Sequence, residues 1–290
     1  MRRAPGSLRL AHAALTVAEV CRRAARVLAG AVVCLDPMER RVQREAERIE
    51  DAYRDRDRQP RASPSGWAER GYRLNMQALE ASLLEELVAA GLDPSGRSVL
   101  EVGCGTGYFL RRFLEFGARH AAGIDLSADR IARARELGPS LDLVVGDGSR
   151  LPWPDESFEL VSQFTCLSSV LDVHVREAIA AEMWRVLAPG GAVVSYDMRP
   201  TPWPIRAFRK LVAIRPGNTS RAGGTPTAPV TREELRSWFP TGELRWRSVG
   251  LDPEIARLAP TRRIAQAGAL IPALRVHALA IVQRRHRELP

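Results

Sequence analysis

The chain's 290 residues suffice for one domain of ordinary size plus an extension, and can bury a core without disulfide support. At 45% hydrophobic and 27% charged, the composition excludes wholesale disorder, and collagen-like, repeat and disulfide-scaffold classes fall with it. The net charge of +9 sits at the two ends: residues 1–60 hold 13 arginines against 9 acids, 61–241 are balanced at 21 against 21, and 242–290 hold 9 against 4. That distribution reads as solvated basic surface rather than a phosphate-tracking groove, so no nucleic-acid partner is expected. The cysteines Cys21, Cys34, Cys104 and Cys166 lie far apart with no CxxC pair. Their spacing gives no zinc site, so no metal is expected, and reduced thiols in a cytoplasmic protein are.

At the N-terminus, polar residues Arg9, His12, Thr16, Glu19, Arg23 and Arg26 recur every three or four positions through 8–35. On a helix this makes one narrow polar stripe beside a wide apolar face, which calls for a docking partner: the body of the protein, another subunit or a membrane headgroup layer. No window is apolar enough for a transmembrane segment, and a cleaved signal peptide fits poorly. An alternative start at Met38 would make residues 1–37 dispensable. Residues 39–58 predict a charged surface helix with a thin apolar seam at Met38, Val42, Ala46, Ile49 and Tyr53. The Pro/Ser-rich segment 59–66 then breaks the chain, and a helical pattern runs through Leu74, Leu79, Leu83, Leu84, Leu87 and Val88 to a stop at Gly91. Residues 1–66 are therefore expected to be a helical extension and 67–290 the main domain.

From residue 97 the period changes. Short apolar runs at 98–102, 121–126, 141–145, 158–162 and 192–196 alternate with helical stretches, the pattern of a doubly wound α/β domain with a mostly parallel sheet. In such sheets ligands bind beyond the carboxyl ends of the strands. The first of those loops reads Gly103-Cys-Gly-Thr-Gly107 and enters a helix at 108–116. Glycines at alternate positions allow a sharp turn and close approach of a ligand to the main chain. A dinucleotide fingerprint would need glycine where Tyr108 stands, and no Walker lysine follows.

The motif Glu101-Val-Gly-Cys-Gly-Thr-Gly107 resembles the first motif of the class I S-adenosylmethionine-dependent methyltransferases, and the resemblance extends over roughly residues 70–200. Gly123-Ile-Asp-Leu-Ser127, Gly146-Asp-Gly-Ser149 and Glu182-Met-Trp-Arg-Val-Leu-Ala-Pro-Gly-Gly191 match later motifs in register. The resemblance implies a seven-stranded sheet with an antiparallel terminal strand and S-adenosyl-L-methionine as cofactor. It implies that Asp125, with Leu126 beside it, meets the ribose hydroxyls, and that Asp147 and Gly148 meet the adenine. Glu101 would lie near the cofactor's amino group, the bend Gly103, Gly105 and Gly107 under the nucleoside, and Gln163 beside the methionyl part. Two carboxylate oxygens can accept from both hydroxyls of a ribose, and no phosphate clamp is needed. Taken singly, Asp147 reads as a turn residue and Asp125 as a helix cap.

A sulfonium methyl is already activated, so placing the acceptor matters most and proton removal is secondary. The segment after the fourth strand offers Asp172 and His174 as catalytic residues, although Asp172 is also a natural helix cap and His174 a first-turn surface residue. Tyr196 and Asp197 are expected to line the acceptor pocket. The stretch 199–230, with six prolines, predicts a lid insertion. Thr231-Arg-Glu-Glu234 predicts a capping box, and 244–249 and 276–282 predict an antiparallel terminal pair around a helical insertion at 252–272. The expected function is O-methylation of a small-molecule or glycan hydroxyl. N-methylation of a small amine and a non-catalytic S-adenosylmethionine-binding scaffold are the alternatives.

Overall fold

The computed structural model describes residues 36–58, 70–211, 221–222, 225–252, 255–256 and 261–285. The expected helix at 8–35 and the break at 59–66 lie outside these residues. By its contacts the chain divides into residues 1–40 and 41–290. Of the first unit, the described part is the opening turn of helix α1 (Pro37–Arg58), where the Asp36 carboxylate accepts from the amides of Met38 and Glu39 at 2.7 and 2.8 Å.

The second unit continues with α2 (Arg70–Ala89), β1 (Ser98–Val102), α3 (Tyr108–Glu115), β2 (His120–Asp125), α4 (Ala128–Leu137), β3 (Asp142–Val145) and β4 (Phe158–Phe164). After a short 3-10 turn, Leu167–Ser169, come α5 (Val173–Val186), β5 (Leu187–Met198), α6 (Trp203–Leu211) and the two-residue pair β6 (Arg221–Ala222) and β7 (Thr225–Pro226). The chain ends with α7 (Arg232–Trp238), β8 (Gly242–Leu251), α8 (Arg262–Ala269), the 3-10 turn Pro272–Leu274 and β9 (Arg275–Arg284).

Seven strands form one sheet in the order β3-β2-β1-β4-β5-β9-β8. Neighbours from β3 to β5 are parallel, and β9 runs antiparallel to both β5 and β8. The final strand thus lies inside the edge, between β5 and β8, an order that apolar spacing alone does not encode. Strand order reverses between β1 and β4, which is where a cleft opens in a doubly wound sheet.

Every residue of β1 is buried, as expected of a central strand covered on both faces. One face carries Leu100, Val102, Ile124, Val161 and Val193 under α5 and α7, with Ile49 of α1 in the same cluster. The other carries Val99, Leu160, Val194 and Leu279 under the Leu79, Leu83 and Leu87 stripe of α2 and under Phe109 and Phe113 of α3. Interdigitated burial of this kind is the main stabilising contribution. β5 starts at Leu187 rather than after the Pro-Gly-Gly turn, because that turn forms an irregularity within the strand as the register passes from Phe158↔Leu187 to Leu160↔Ala192. The expected lid stretch is regular in its first part, where α6 forms. Among the described residues, no helix is long and apolar enough to cross a membrane.

The capping box at α7 forms as the pattern requires: Thr231 Oγ1 accepts from the Glu234 amide at 3.1 Å, and Glu234 Oε2 accepts from the Thr231 amide at 2.8 Å. It sets the helix that carries Leu235 into the core, each 1% exposed with Phe239 beside it. Replacing Thr231→Ala should destabilise the chain by about 1 kcal/mol in urea denaturation, without altering the slope of the transition.

Candidate active site

The loop after β1 is tied to β2 before any ligand is considered. The amides of Gly103 and Cys104 both donate to the Ile124 carbonyl, at 2.8 and 3.0 Å. Asp125, the last residue of β2, accepts from the Gly105 amide through Oδ2 at 2.8 Å and from the Ser127 amide through Oδ1 at 2.9 Å. Each oxygen keeps a lone pair for a further donor. Gly105 has φ 53°, and a Cβ built on it meets nothing within 4 Å, so the bend faces open space. Gly103 has φ 72°, and a Cβ there would fall 2.7 Å from Cys166 Sγ, so its lack of a side chain lets the loop after β4 close in.

The other sequence-predicted residues fall around the same bend. Gly107 is the N-cap of α3 and donates to the Cys104 carbonyl at 2.8 Å. Asp147 Oδ1 accepts from the Ser149 amide at 2.7 Å, and Gly148 packs behind it on Val102. Leu126 is half-buried against the core.

Glu101 is the charged residue of β1 and is buried, with Oε2 lacking any hydrogen-bond partner. Burial pushes its carboxyl well above the carboxylate range, and the neighbouring Asp125 adds to this against a hydrogen bond from the Leu110 amide. The Cys166 thiol is also pushed up, first by burial and then by Asp197, Asp125, Asp147 and Glu101. Asp125 and Asp147, which end β2 and follow β3, offer acceptor oxygens to a ligand that donates hydrogen bonds. The partnerless oxygen of Glu101 matches a ligand with a cationic donor, and the open face of Gly105 leaves room for its body.

Gln163, expected beside the methionyl part of the cofactor, uses both ends of its amide within the protein. Oε1 accepts from the amides of Cys166 and Leu167 at 2.9 and 3.3 Å, while Nε2 donates to Ser195 Oγ at 2.6 Å and Asp197 Oδ2 at 2.8 Å. Asp197 also accepts from the Ser168 amide at 3.1 Å. The network Gln163–Ser195–Asp197 is buried and holds the loop after β4 in shape, a role that sequence spacing does not reveal. Asp197 accordingly sits beneath that loop, rather than lining an open pocket.

Asp172 and His174 are also committed elsewhere. Asp172 caps α5, accepting from the His174 and Val175 amides at 2.9 and 3.4 Å, and pairs with Arg41 of α1 at 2.9 Å. Burial opposes its ionisation, but hydrogen bonds from Arg41 and these amides hold it below its ordinary value, which makes it a weak base. His174 is exposed, with Nδ1 3.1 Å from Glu177.

The sequence places the N-terminal helices with 199–230 in an acceptor lid but does not reveal which residues of α1 make contact. Glu45 accepts from the Leu171 amide, Arg48 donates to the Ser169 carbonyl at 2.5 Å, and the Tyr53 hydroxyl lies 3.3 Å from Ser169 Oγ. The Arg130 guanidinium of α4 stacks 4.0 Å over the Tyr53 ring. The helix thus bridges the segment after β4 and the helix after β2. Its seam at Val42, Ile49 and Tyr53 was the available signal. A row of rings completes the β4–β5 end: Phe109 stacks on Phe164 at 3.7 Å, Phe164 lies 6.4 Å from Tyr196, and Tyr196 stacks on His277 at 5.0 Å.

Burial raises the Asp197 pKa from an ordinary 3.8 to about 6, against hydrogen bonds from Ser168 and Gln163 that lower it. Between those values the folded chain binds a proton that the unfolded chain has released. The stability from this group is therefore fully present below the unfolded value and is lost as pH rises through about 6. Urea denaturation across this window should show a fall of about 3 kcal/mol that the Asp197→Asn variant lacks.

Residues 99–191 match the family model described as "Methyltransferase domain". The chain is 33% identical over 119 residues to a malonyl-[acyl-carrier protein] O-methyltransferase of Serratia marcescens, covering 40% of this chain and 44% of that one. It is 31% identical over 154 residues to a demethylmenaquinone methyltransferase of Renibacterium salmoninarum, covering 52% and 63%. The chain thus spans about half the length of these curated relatives. A solved structure of a Pyrococcus horikoshii protein superposes with a TM-score of 0.55 at 17% identity, over 80% of this chain and 99% of that one, and so shares the fold. With the glycine bend, the acids ending β2 and following β3, and this strand order, residues 99–191 are thus similar to a methyltransferase domain, set in a Rossmann-like sheet.

Proposed function

We propose that the chain transfers a methyl group from S-adenosylmethionine to an oxygen of a small, predominantly apolar acceptor. The observation that carries this reading is the buried, partnerless Oε2 of Glu101 behind a glycine bend that is open at Gly105. On this reading Asp125 offers its remaining lone pairs to the ribose hydroxyls, Asp147 accepts from the adenine amino group, and Glu101 faces the ammonium end. When bound, the cofactor supplies a methyl already activated on a sulfonium.

The chain's own task is then to orient the acceptor and exclude water. Helix α1, tied to Ser169, Leu171 and Asp172 on one side and stacked with Arg130 on the other, supports a covering role. The stretch 199–230 supplies the rest of the cover, so that residues 67–290 form the catalytic domain with this insertion as its lid and 1–66 an extension of it. Phe164, half-buried and backed by the core residue Phe109, supports an apolar acceptor over a glycan, because an aromatic face gains from burying apolar surface. The Serratia relative is named for O-methyl transfer, in keeping with an oxygen acceptor, and the Renibacterium relative for a quinone substrate, in keeping with an apolar one. Free Cys104 and Cys166 fit a cytoplasmic setting.

Positioning rather than base catalysis is expected to dominate, given the commitments of Asp172 and His174. His174→Ala should lower turnover by less than about tenfold, whereas a general base would cost about a hundredfold or more. Titration calorimetry with S-adenosylmethionine tests the cofactor assignment: Asp125→Ala should weaken binding at least about tenfold through loss of charge-assisted hydrogen bonds. Absence of binding to the unaltered chain would overturn the reading.

A further inference from the structure

Two stretches of the chain carry no carboxylate: 198–232 and 255–287 each hold seven Lys or Arg residues and no Asp or Glu. The fold brings α6 of the first and α8 through His277 of the second to one end of the sheet, while Arg284 lies at the opposite end of β9. α6 leaves β5 at its carboxyl end, and the turn Pro272–Leu274, against which α6 packs, leads into β9, where His277 pairs with Met198. This is the end that bears the glycine bend and the loop after β4.

The outer surface there is apolar as well as basic. On α6, Ile205 is buried while Trp203 and Leu211 are 72% and 85% exposed, with Arg206 and Lys210 exposed between them. On and after α8, Ala265 is buried while Ile264, Leu270 and Ile271 are 52%, 74% and 49% exposed beside exposed Arg263. Arg275 fixes this segment from beneath, donating to the carbonyls of Ala269 and Ser248 at 2.7 and 2.8 Å. Large apolar side chains raised among cations, with no acids on either helix, are ill suited to water.

We infer that this face docks the protein on a bilayer rich in anionic phospholipid, with Trp203, Leu211, Leu270 and Ile271 entering the headgroup boundary and Arg206, Lys210 and Arg263 meeting the phosphates. Nucleic acid would use the cations but leave those apolar side chains without a partner. The surface places the β5–β9 end of the cleft against lipid, so the acceptor class is a membrane-dissolved lipid. That last step rests on the methyl-transfer reading, whereas the docking surface does not.

The test is co-sedimentation of the full chain with vesicles of phosphatidylcholine alone or mixed equally with phosphatidylglycerol. Binding is expected to the mixed vesicles and to weaken with salt. Trp203→Asp with Leu270→Asp should reduce it at least about tenfold, and Arg206→Glu with Lys210→Glu by about fivefold per charge removed. Far-ultraviolet circular dichroism and the urea midpoint should be the same for these variants as for the unaltered chain, showing that they fold. The inference is overturned by no sedimentation with mixed vesicles at low salt, or by sedimentation indifferent to both variants. It is equally overturned if gel filtration shows that the apolar variant instead abolishes a dimer, or if duplex DNA competes fully with the vesicles. If the unaltered chain sediments but binds no S-adenosylmethionine, the docking surface stands and the methyl-transfer reading falls.

Discussion

The carboxylate of Asp125 holds two backbone amides at once, that of Gly105 across the cleft and that of Ser127 in its own chain, and the shape of the cleft depends on this junction. It joins the bend after β1 to the exit of β2 at the point where the strand order turns outward. A side chain with a single acceptor would leave one of the amides without its partner. The same carboxylate keeps lone pairs for a ligand, so the group that organises the loop is also one that can recognise what lies on it.

Around that junction the chain concentrates carboxyl groups where a core would ordinarily exclude them. Glu101 and Asp197 are both buried and held above their ordinary pKa, and with Asp125 and Asp147 they act on the Cys166 thiol. Burying carboxyl groups without cations costs stability, and such strain is tolerated where binding requires it. Arg111 offsets this in part at Glu101, where burial and Asp125 outweigh it. The vacancy in hydrogen bonding at Glu101 and the saturation of Gln163 distinguish a group held ready for a ligand from one used up in support.

The same end of the sheet is reached by elements from distant parts of the sequence. Helix α1 closes one side through Glu45, Arg48 and Tyr53, and α6 with the segment after α8 forms an apolar and basic rim on the other. The aromatic row from Phe109 to His277 lies at the β4–β5–β9 end of the sheet. The acid-lined bend and the apolar, basic rim thus lie at the same end of the sheet.

The elements and the cofactor motif were legible in the amino-acid sequence because they are local. Strand and helix periods, the Gly103–Gly105–Gly107 spacing, the Asp172 cap and the Thr231 capping box each depend on residues within a few positions of one another. What the side chains are used for was decided by packing. Gln163 reads as a ligand-binding amide until Ser195, Asp197 and two backbone amides consume its hydrogen bonds, and Asp172 reads as a base until Arg41 arrives from 131 residues away. The insertion of β9 between β5 and β8, the closure by α1 and the meeting of α6 with the turn before β9 are likewise long-range. Periodicity records which face of an element is buried, but carries no information on which distant element buries it, and only the tertiary structure supplies that partner.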